Sequence, residues 1–369
     1  MNGIRNLQRS ILLIPGPLTT SQNAKQALTF DYSAREPLFV NIIKSVREKI
    51  LSISNTNPNN YTSILVQGSG TFGNEAIISS LPKKSKISVF SNGLYGDRLI
   101  DICKKHNVLH SETILEYNKQ ITPYIIDKQL KNCDSTHIAI IHNETTSGIL
   151  NPIEEIVPIA KKYNKKVIID AISSYGGIPI DINSLEIDYL VGSSNKCLHA
   201  HPGLSFIIAN KSSLEECKNN NNTLSLDLYD QYQDLEKQDQ FRYTPPVQII
   251  NALNVALDEL IRSGGIERRY EYYLLYNSII YNELINLGFK PYISRKINGP
   301  IVTTFILPDY VTNFSFESFS QILRDYNIVL YPSPLNDDRL IRIGNIGDIN
   351  INELYFCIKK IKEEIIKLK

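Results

Sequence analysis

The stretch YLVGSSNKCLHAHPG, residues 189–203, runs from an apolar segment, Tyr189-Leu190-Val191, into Gly192-Ser193-Ser194-Asn195. A single lysine, Lys196, follows, then Cys197, two histidines and Pro202-Gly203. A lysine at the end of a buried strand is partly desolvated. That lowers its pKa and favours the neutral amine that attacks a carbonyl. The alternative is a lysine whose stem lies along the strand end while its ammonium reaches water. The neighbouring segments decide between the two.

Similar short apolar runs occur at 64–66, 87–90, 138–141, 167–169 and 206–209. With 189–191 they read as buried parallel strands. Helical segments lie between them. PIEEIVPIAKKY, residues 152–163, carries acidic residues early and lysines late, as the helix dipole favours. Strands alternating with helices predict an α/β fold with a mainly parallel sheet. From about Leu253 the pattern changes. ALNVALDELIRSGG reads as a helix closed by Gly264-Gly265, and the segment from Ile266 as a long helix ending near Gly288. Strand-like IVTTFILP and RLIRIGN follow. The last helix carries a stripe of Leu354, Cys357, Ile358, Ile361 and Ile365. A large domain over residues 1–255, including an N-terminal arm, and a smaller α+β domain over 256–369 are expected. KNNNN, residues 218–222, reads as a solvent loop.

Two more segments carry chemistry. In VQGSGTFGNEA, residues 66–76, a strand enters Gly68-Ser69-Gly70-Thr71 and then a helix. Backbone N–H groups at such a turn can converge on an anion, most often a phosphate. No GK[ST] follows, so it is not a Walker motif. A plain glycine-rich turn is the alternative. In KVIIDAISSYGG, residues 166–177, Asp170 closes an apolar strand, where open α/β sheets place ligand contacts. Its alternative is a helix N-cap. An anion cradle, a strand-end carboxylate and a strand-end lysine together suit pyridoxal 5′-phosphate. That cofactor has a phosphate, a pyridine nitrogen and an aldehyde.

At these residues the chain resembles the class V aminotransferases of the fold-type I, pyridoxal-phosphate-dependent superfamily. The likeness runs from LLIPGPLTTS (12–21) through DYSARE (31–36), NGLYGDR (92–98), HNETTSGILNPIEEI (142–156), SSNKC (193–197), SLDLYDQ (225–231) and RYTPP (242–246) to IRIGNIGDIN (341–350). Within the family it is similar to the transaminases that exchange an amino group between 2-aminoethylphosphonate and pyruvate. A glyoxylate-using transaminase of the same family is the alternative.

The resemblance implies a fold-type I large domain with a seven-stranded sheet, and it implies roles for matching positions. Lys196 takes the place of the lysine joined to the cofactor, and Asp170 that of the partner of the pyridine nitrogen. Ser69, Gly70 and Thr71 match the phosphate loop, with Asn195 beside it. Tyr95 and Ile172 match the residues on the two faces of the ring. Thr145 falls near the phenolic oxygen, with Thr146 or Ser147 as alternatives. Thr244 matches a residue reaching the phosphate from a partner subunit, which implies a homodimer. Arg342 matches the arginine that grips the substrate's acid group; its alternative is an ordinary ion pair on a strand. After the lysine the chain departs from the family pattern with His199, Ala200 and His201. Arg35, Arg98, His199 and His201 are candidate phosphonate contacts, against which stands a loop histidine satisfied by its neighbours.

Bulk composition narrows the remaining classes. The 39 Lys and Arg residues nearly balance 38 Asp and Glu, which excludes a broad basic surface for nucleic acid. No window approaches a membrane span, and the apolar run in MNGIRNLQRSILLIPGP is too short for a signal peptide. The five cysteines are odd in number and unpaired in spacing, which argues against disulfides and zinc and for a reducing compartment, the cytoplasm. Cys197 adjoins Lys196 and is poorly placed to act as the mobile nucleophile of a cysteine desulfurase.

Overall fold

The computed structural model describes residues 9–221 and 223–368. The first eight residues of the leading segment and Asn222 of the asparagine run lie outside it. The central sheet has seven strands, in the order Tyr61–Gln67, Leu204–Asn210, Tyr189–Ser193, Lys166–Asp170, His137–Ile141, Lys86–Ser91 and Leu109–Ile114. Every apolar run read as a strand is a strand of this sheet. Successive side chains point to opposite faces, and Ile64, Leu65, Ile138–Ile141 and Val167–Ile169 are all buried. Both faces are therefore covered, which is why these strands are apolar throughout.

Two features differ from expectation. Leu204–Asn210 runs antiparallel to both neighbours. The ten residues between Ser193 and Leu204 hold no helix, and a parallel return needs a longer crossover. Apolar content says nothing about strand direction; the connection length does. The edge strand Leu109–Ile114 is largely exposed, with sequence LHSETI, so it lacks the apolar run that marked the others.

The remaining six strands run in one direction, as the pairings show. Their C-terminal ends therefore share one edge, where open α/β sheets collect ligands. That edge carries the turns into Ser69, Tyr95, the segment His142–Ser147, Asp170 and Lys196.

A second, antiparallel sheet contains Lys290–Pro291, Val302–Ile306, Leu340–Gly344 and Tyr331–Pro332. Helices Gly265–Asn286, Phe316–Asp325 and Ile351–Ile366 contribute to its core, and the expected stripe from Leu354 to Ile365 is buried there. Ile11–Leu12 pairs in parallel with Ile328–Val329, and Ile11 and Leu13 belong to this second core. Residue 255 falls inside the helix Val247–Arg262, whose apolar face packs on the first core. The arm then passes from the second core to Pro15 and Gly16, beside Lys196.

The asparagine run is less passive than expected. Lys218 and Asn219 are exposed, but Asn221 turns inward, its amide donating to Ser80 Oγ at 2.6 Å and to Leu226 O at 2.9 Å. Among the described residues no helix is long and apolar enough to cross a membrane, and no cluster of His, Cys, Asp and Glu could hold a metal ion.

Candidate active site

Lys196 lies in the turn after the strand Tyr189–Ser193 and is partly buried. Its Nζ donates to Pro15 O at 2.9 Å. Burial pushes its pKa down to about 8, with the Arg342 charge acting in the same direction. A neutral amine is therefore a substantial species near neutral pH. Gly16, at φ +126°, allows the arm to pass this close: a Cβ there would stand 2.5 Å from Nζ.

Asp170 ends its strand only 5% exposed. Its Oδ2 accepts from Asn74 Nδ2 at 2.6 Å, and its Oδ1 accepts from the Ile172 backbone N–H at 2.9 Å. It has no ion-pair partner among the described residues. Burial raises its pKa to about 6, against the opposing effect of the two hydrogen bonds and of Arg98 and Lys196. The Ile172 bond is of the kind an N-cap makes, but a turn and no helix follows Asp170, so the carboxylate caps no helix. The site thus presents an acid that welcomes a cation.

The glycine turn stands next to it. Ser69 caps the helix Gly70–Ser80 by position but makes no side-chain cap bond; the Phe72 N–H is taken by Ser69 O at 2.9 Å, so the Gly70 and Thr71 N–H groups are the ones that can meet an anion. A Cβ at Gly70 would overlap Ile172, so this helix start and the turn after Asp170 are in contact. Thr71 Oγ1 accepts from Arg98 Nη1 at 3.2 Å, and the Arg98 guanidinium lies 5.0 Å from the centre of the Tyr95 ring. Asn195 Oδ1 accepts from Ser193 Oγ at 2.7 Å.

Arg342 comes from the second sheet and is 7% exposed. Nη1 donates to Thr145 O at 2.6 Å, while Nε is buried without a partner. No described carboxylate pairs with it, so the ordinary ion-pair reading fails. Burial lowers its pKa, partly offset by Tyr95 and Glu144. A buried guanidinium with a spare Nε–H donor can receive an acid group.

Several members of the site had no marker in the sequence. Glu144 is buried, and its carboxylate accepts from the Thr146 N–H at 2.9 Å, Thr146 Oγ1 at 2.6 Å and the Gly96 N–H at 3.2 Å. Thr146 Oγ1 in turn accepts from the Leu94 N–H at 3.0 Å, so both amides flanking Tyr95 are fixed by this pair. That engages the Thr146 side chain; of the other two in the expected trio, Thr145 is held through its carbonyl by Arg342 and Ser147 Oγ has no partner. His142 is buried against Ser174 Oγ at 2.9 Å, with its pKa pushed down to about 3. Asn74 gave no signal because an amide inside a helix reads as neutral.

The two unusual histidines do not extend the basic surface. His199, at φ +58°, has Nε2 accepting from the Gly347 N–H at 3.2 Å and meeting Tyr273 Oη at 2.6 Å. Burial holds its pKa well below the usual value, so it is a neutral loop histidine. His201 is bonded by the Ala24 backbone of the arm and is likewise shifted down by burial. Cys197 donates to Ser173 O at 3.1 Å, and burial pushes its thiol up to about 12, which removes it as a nucleophile. Thr244 is exposed on a cleft of about 570 Å³ that also includes Gly68, Phe72 and Tyr243. Arg35 is exposed on an adjoining groove with Tyr243 and Thr244.

The lysine, the buried carboxylate and the glycine-led helix start share one sheet edge, and the matches that follow make the chain a pyridoxal-phosphate-dependent aminotransferase of fold type I. The model of the family described as aminotransferase class-V matches residues 25–330, and the chain belongs to that family. A protein of Phocaeicola vulgatus named 2-aminoethylphosphonate–pyruvate transaminase is 38% identical over 356 residues, covering 95% of this chain and 98% of its own length. One of the same name from Bacillus thuringiensis is 39% identical over 359 residues, covering 95% and 97%. Among solved structures, the alanine–glyoxylate aminotransferase of a Nostoc species matches with a TM-score of 0.88 at 18% identity, covering 99% of this chain and 97% of that one. The pyridoxamine–pyruvate aminotransferase of Mesorhizobium loti matches with 0.86 at 23%, covering 100% and 99%. The structural likenesses carry the fold.

The Asp170 shift has a defined sign. The folded-state pKa of about 6 exceeds the ordinary 3.8, so the unfolded chain releases this proton first. Ionisation across that window favours unfolding. Cofactor-free Asp170→Asn should therefore gain stability relative to the unmodified protein as pH rises from 4 to 7, beyond a constant offset. Urea unfolding at a series of pH values measures this; a difference that does not vary with pH would contradict the buried, unpaired carboxylate.

Proposed function

We propose that the chain transfers the amino group of 2-aminoethylphosphonate to pyruvate, giving phosphonoacetaldehyde and L-alanine, with pyridoxal 5′-phosphate as cofactor. The buried Arg342, with one carbonyl partner and a free Nε, carries the reading. Both substrates have an acid group, phosphonate or carboxylate, that a planar guanidinium can bind at two points. Full-length relatives that bear the name of this reaction support the choice.

The residues present fit the cofactor. Lys196 supplies the amine for its aldehyde, and Asp170 the anion for its pyridine nitrogen. Ser69, Gly70 and Thr71 receive the phosphate, with Asn195 beside them. Tyr95 and Ile172 would lie on the two ring faces, and Thr145 would stand near the phenolic oxygen. When bound, the cofactor supplies an electron sink for the carbon that carries the amino group. Lys196, with its pKa near 8, would be freed when the substrate amine displaces it and could then hold the proton taken from that carbon and, in the other half-reaction, give one to the pyruvate-derived carbon. Arg342 orients the substrate, and the buried setting of its guanidinium strengthens that grip. Arg98 lies on the Thr71 side of Tyr95, which suits the cofactor phosphate better than the substrate. The five free cysteines support a reducing, cytoplasmic setting.

Assayed with pyruvate and a panel of amino donors, the protein should form alanine fastest from 2-aminoethylphosphonate. Arg342→Lys keeps the charge and loses the fork. It should lower kcat/KM for both substrates by roughly 30- to 1000-fold, on the order of 2–4 kcal/mol. Turnover of alanine or serine with glyoxylate, and none of 2-aminoethylphosphonate, would replace the substrate and keep the enzyme class.

Thr244 is exposed within its own subunit, which supports a role across a two-fold axis at a neighbour's phosphate loop. The active unit is then a homodimer, and sedimentation at assay concentration should show one. A fully active monomer would refute this arrangement.

A further inference from the structure

We infer that Asn74 is a positioning residue for Asp170: its amide N–H holds the carboxylate ionised and aimed at the cofactor's ring nitrogen. The inference rests on the cofactor reading above. Asn74 lies one turn after Gly70 in the helix Gly70–Ser80, so both residues look toward the same side. There Gly70 meets Ile172, and Asn74 Nδ2 donates to Asp170 Oδ2 at 2.6 Å. The Ile172 N–H takes the other oxygen at 2.9 Å. The carboxylate is thus held at both oxygens by neutral donors on two different elements, which fixes its plane.

Asn74 is itself only 3% exposed, and its Oδ1 has no hydrogen-bond partner. A buried, unsatisfied carbonyl costs stability that an apolar side chain of similar size would not. The contact with Asp170 is what the asparagine offers in return. It is also the foremost influence lowering the Asp170 pKa against the effect of burial, followed by the Ile172 N–H, Arg98 and Lys196. The other titratable neighbours are Glu144, whose carboxyl senses Asp170, and His142, whose backbone N–H donates to Asp170 O and whose ring is neutral. Without the Asn74 donor, Asp170 would stay protonated to higher pH. A protonated Asp170 cannot support a cationic ring nitrogen.

The test compares the unmodified full-length protein with Asn74→Val and Asn74→Thr, which match each other in shape but differ in a donor. Each is also made in the Asp170→Asn background. In the cofactor-free proteins, stability is measured by urea unfolding from pH 4 to 8. The loss of stability that reaches its end near pH 6 should extend upward by about one pH unit in Asn74→Val, and Asn74→Thr should recover most of that shift. In the Asp170→Asn background the shift should vanish. Asn74→Ala, which introduces no misfitting bulk, carries the same expectation if Asn74→Val does not fold. A pH dependence that stays put in Val and Ala, or moves equally without Asp170, overturns the inference. Titration of pyridoxal 5′-phosphate into the same proteins separates the two claims. The pH below which affinity falls should rise in Asn74→Val alongside the stability limb. If none of the proteins binds the cofactor at any pH, the cofactor reading fails while the stability data still decide the Asn74–Asp170 coupling.

Discussion

A carboxylate buried at the end of a strand, with neutral donors and no cation, is the constraint around which this molecule is arranged. Asp170 accepts from Asn74 and Ile172 and keeps a raised pKa despite them. Two buried or partly buried cations, Lys196 and Arg342, stand in the same region, yet neither pairs with it. Each instead holds a backbone carbonyl, of Pro15 and of Thr145. Direct pairing would satisfy Asp170 and one of the cations with each other and leave neither free to bind a ligand. Kept apart by the backbone, they form a set of complementary charges that a ligand with a cationic ring, an aldehyde and an acid-bearing substrate would satisfy.

The fold keeps them apart by drawing them from different elements. Asp170 and Lys196 follow adjacent parallel strands, so the sheet sets their spacing. Arg342 belongs to the second sheet and crosses to Thr145 of the first domain's edge. The arm links the two: Ile11–Leu12 pairs with Ile328–Val329, and Pro15 then caps Lys196. Leu13 O accepts from the Gly344 N–H, two residues past Arg342, so the arm touches the strand of one cation and the side chain of the other. The reversed strand Leu204–Asn210 matters for the same reason. Its short connection confines Lys196 to a turn at the sheet edge, with no crossover helix to carry it away.

Much of this was legible in the sequence because burial on both faces writes an apolar run for each central strand, and the residue that ends each run stands at the ligand edge. Asp170, Lys196 and the glycine turn at Ser69–Thr71 were marked in that way. Strand direction was not, since Phe206–Ala209 is as apolar as its parallel neighbours. Leu109–Ile114 was missed because an exposed edge strand needs no apolar run. Asn74 and Glu144 were invisible for another reason: their roles are hydrogen bonds to Asp170 and to the Gly96 N–H, far away in the chain, and one-dimensional spacing does not encode them. His199 shows the opposite case, a conspicuous residue whose partners, Tyr273 and Gly347, satisfy it within the loop, while His201 is held by the Ala24 backbone and keeps a buried Nε2 without a partner.

Every cofactor role proposed for this site depends on Lys196 being the residue that joins the cofactor. The direct measurement is to saturate the purified protein with pyridoxal 5′-phosphate, reduce it with borohydride, and locate the added mass by peptide mass spectrometry. One pyridoxyl adduct per chain, on the peptide containing Lys196 and absent from Lys196→Ala, is the expected result. An unmodified Lys196 peptide in cofactor-saturated protein, or an adduct on another lysine that persists in Lys196→Ala, would contradict the central claim.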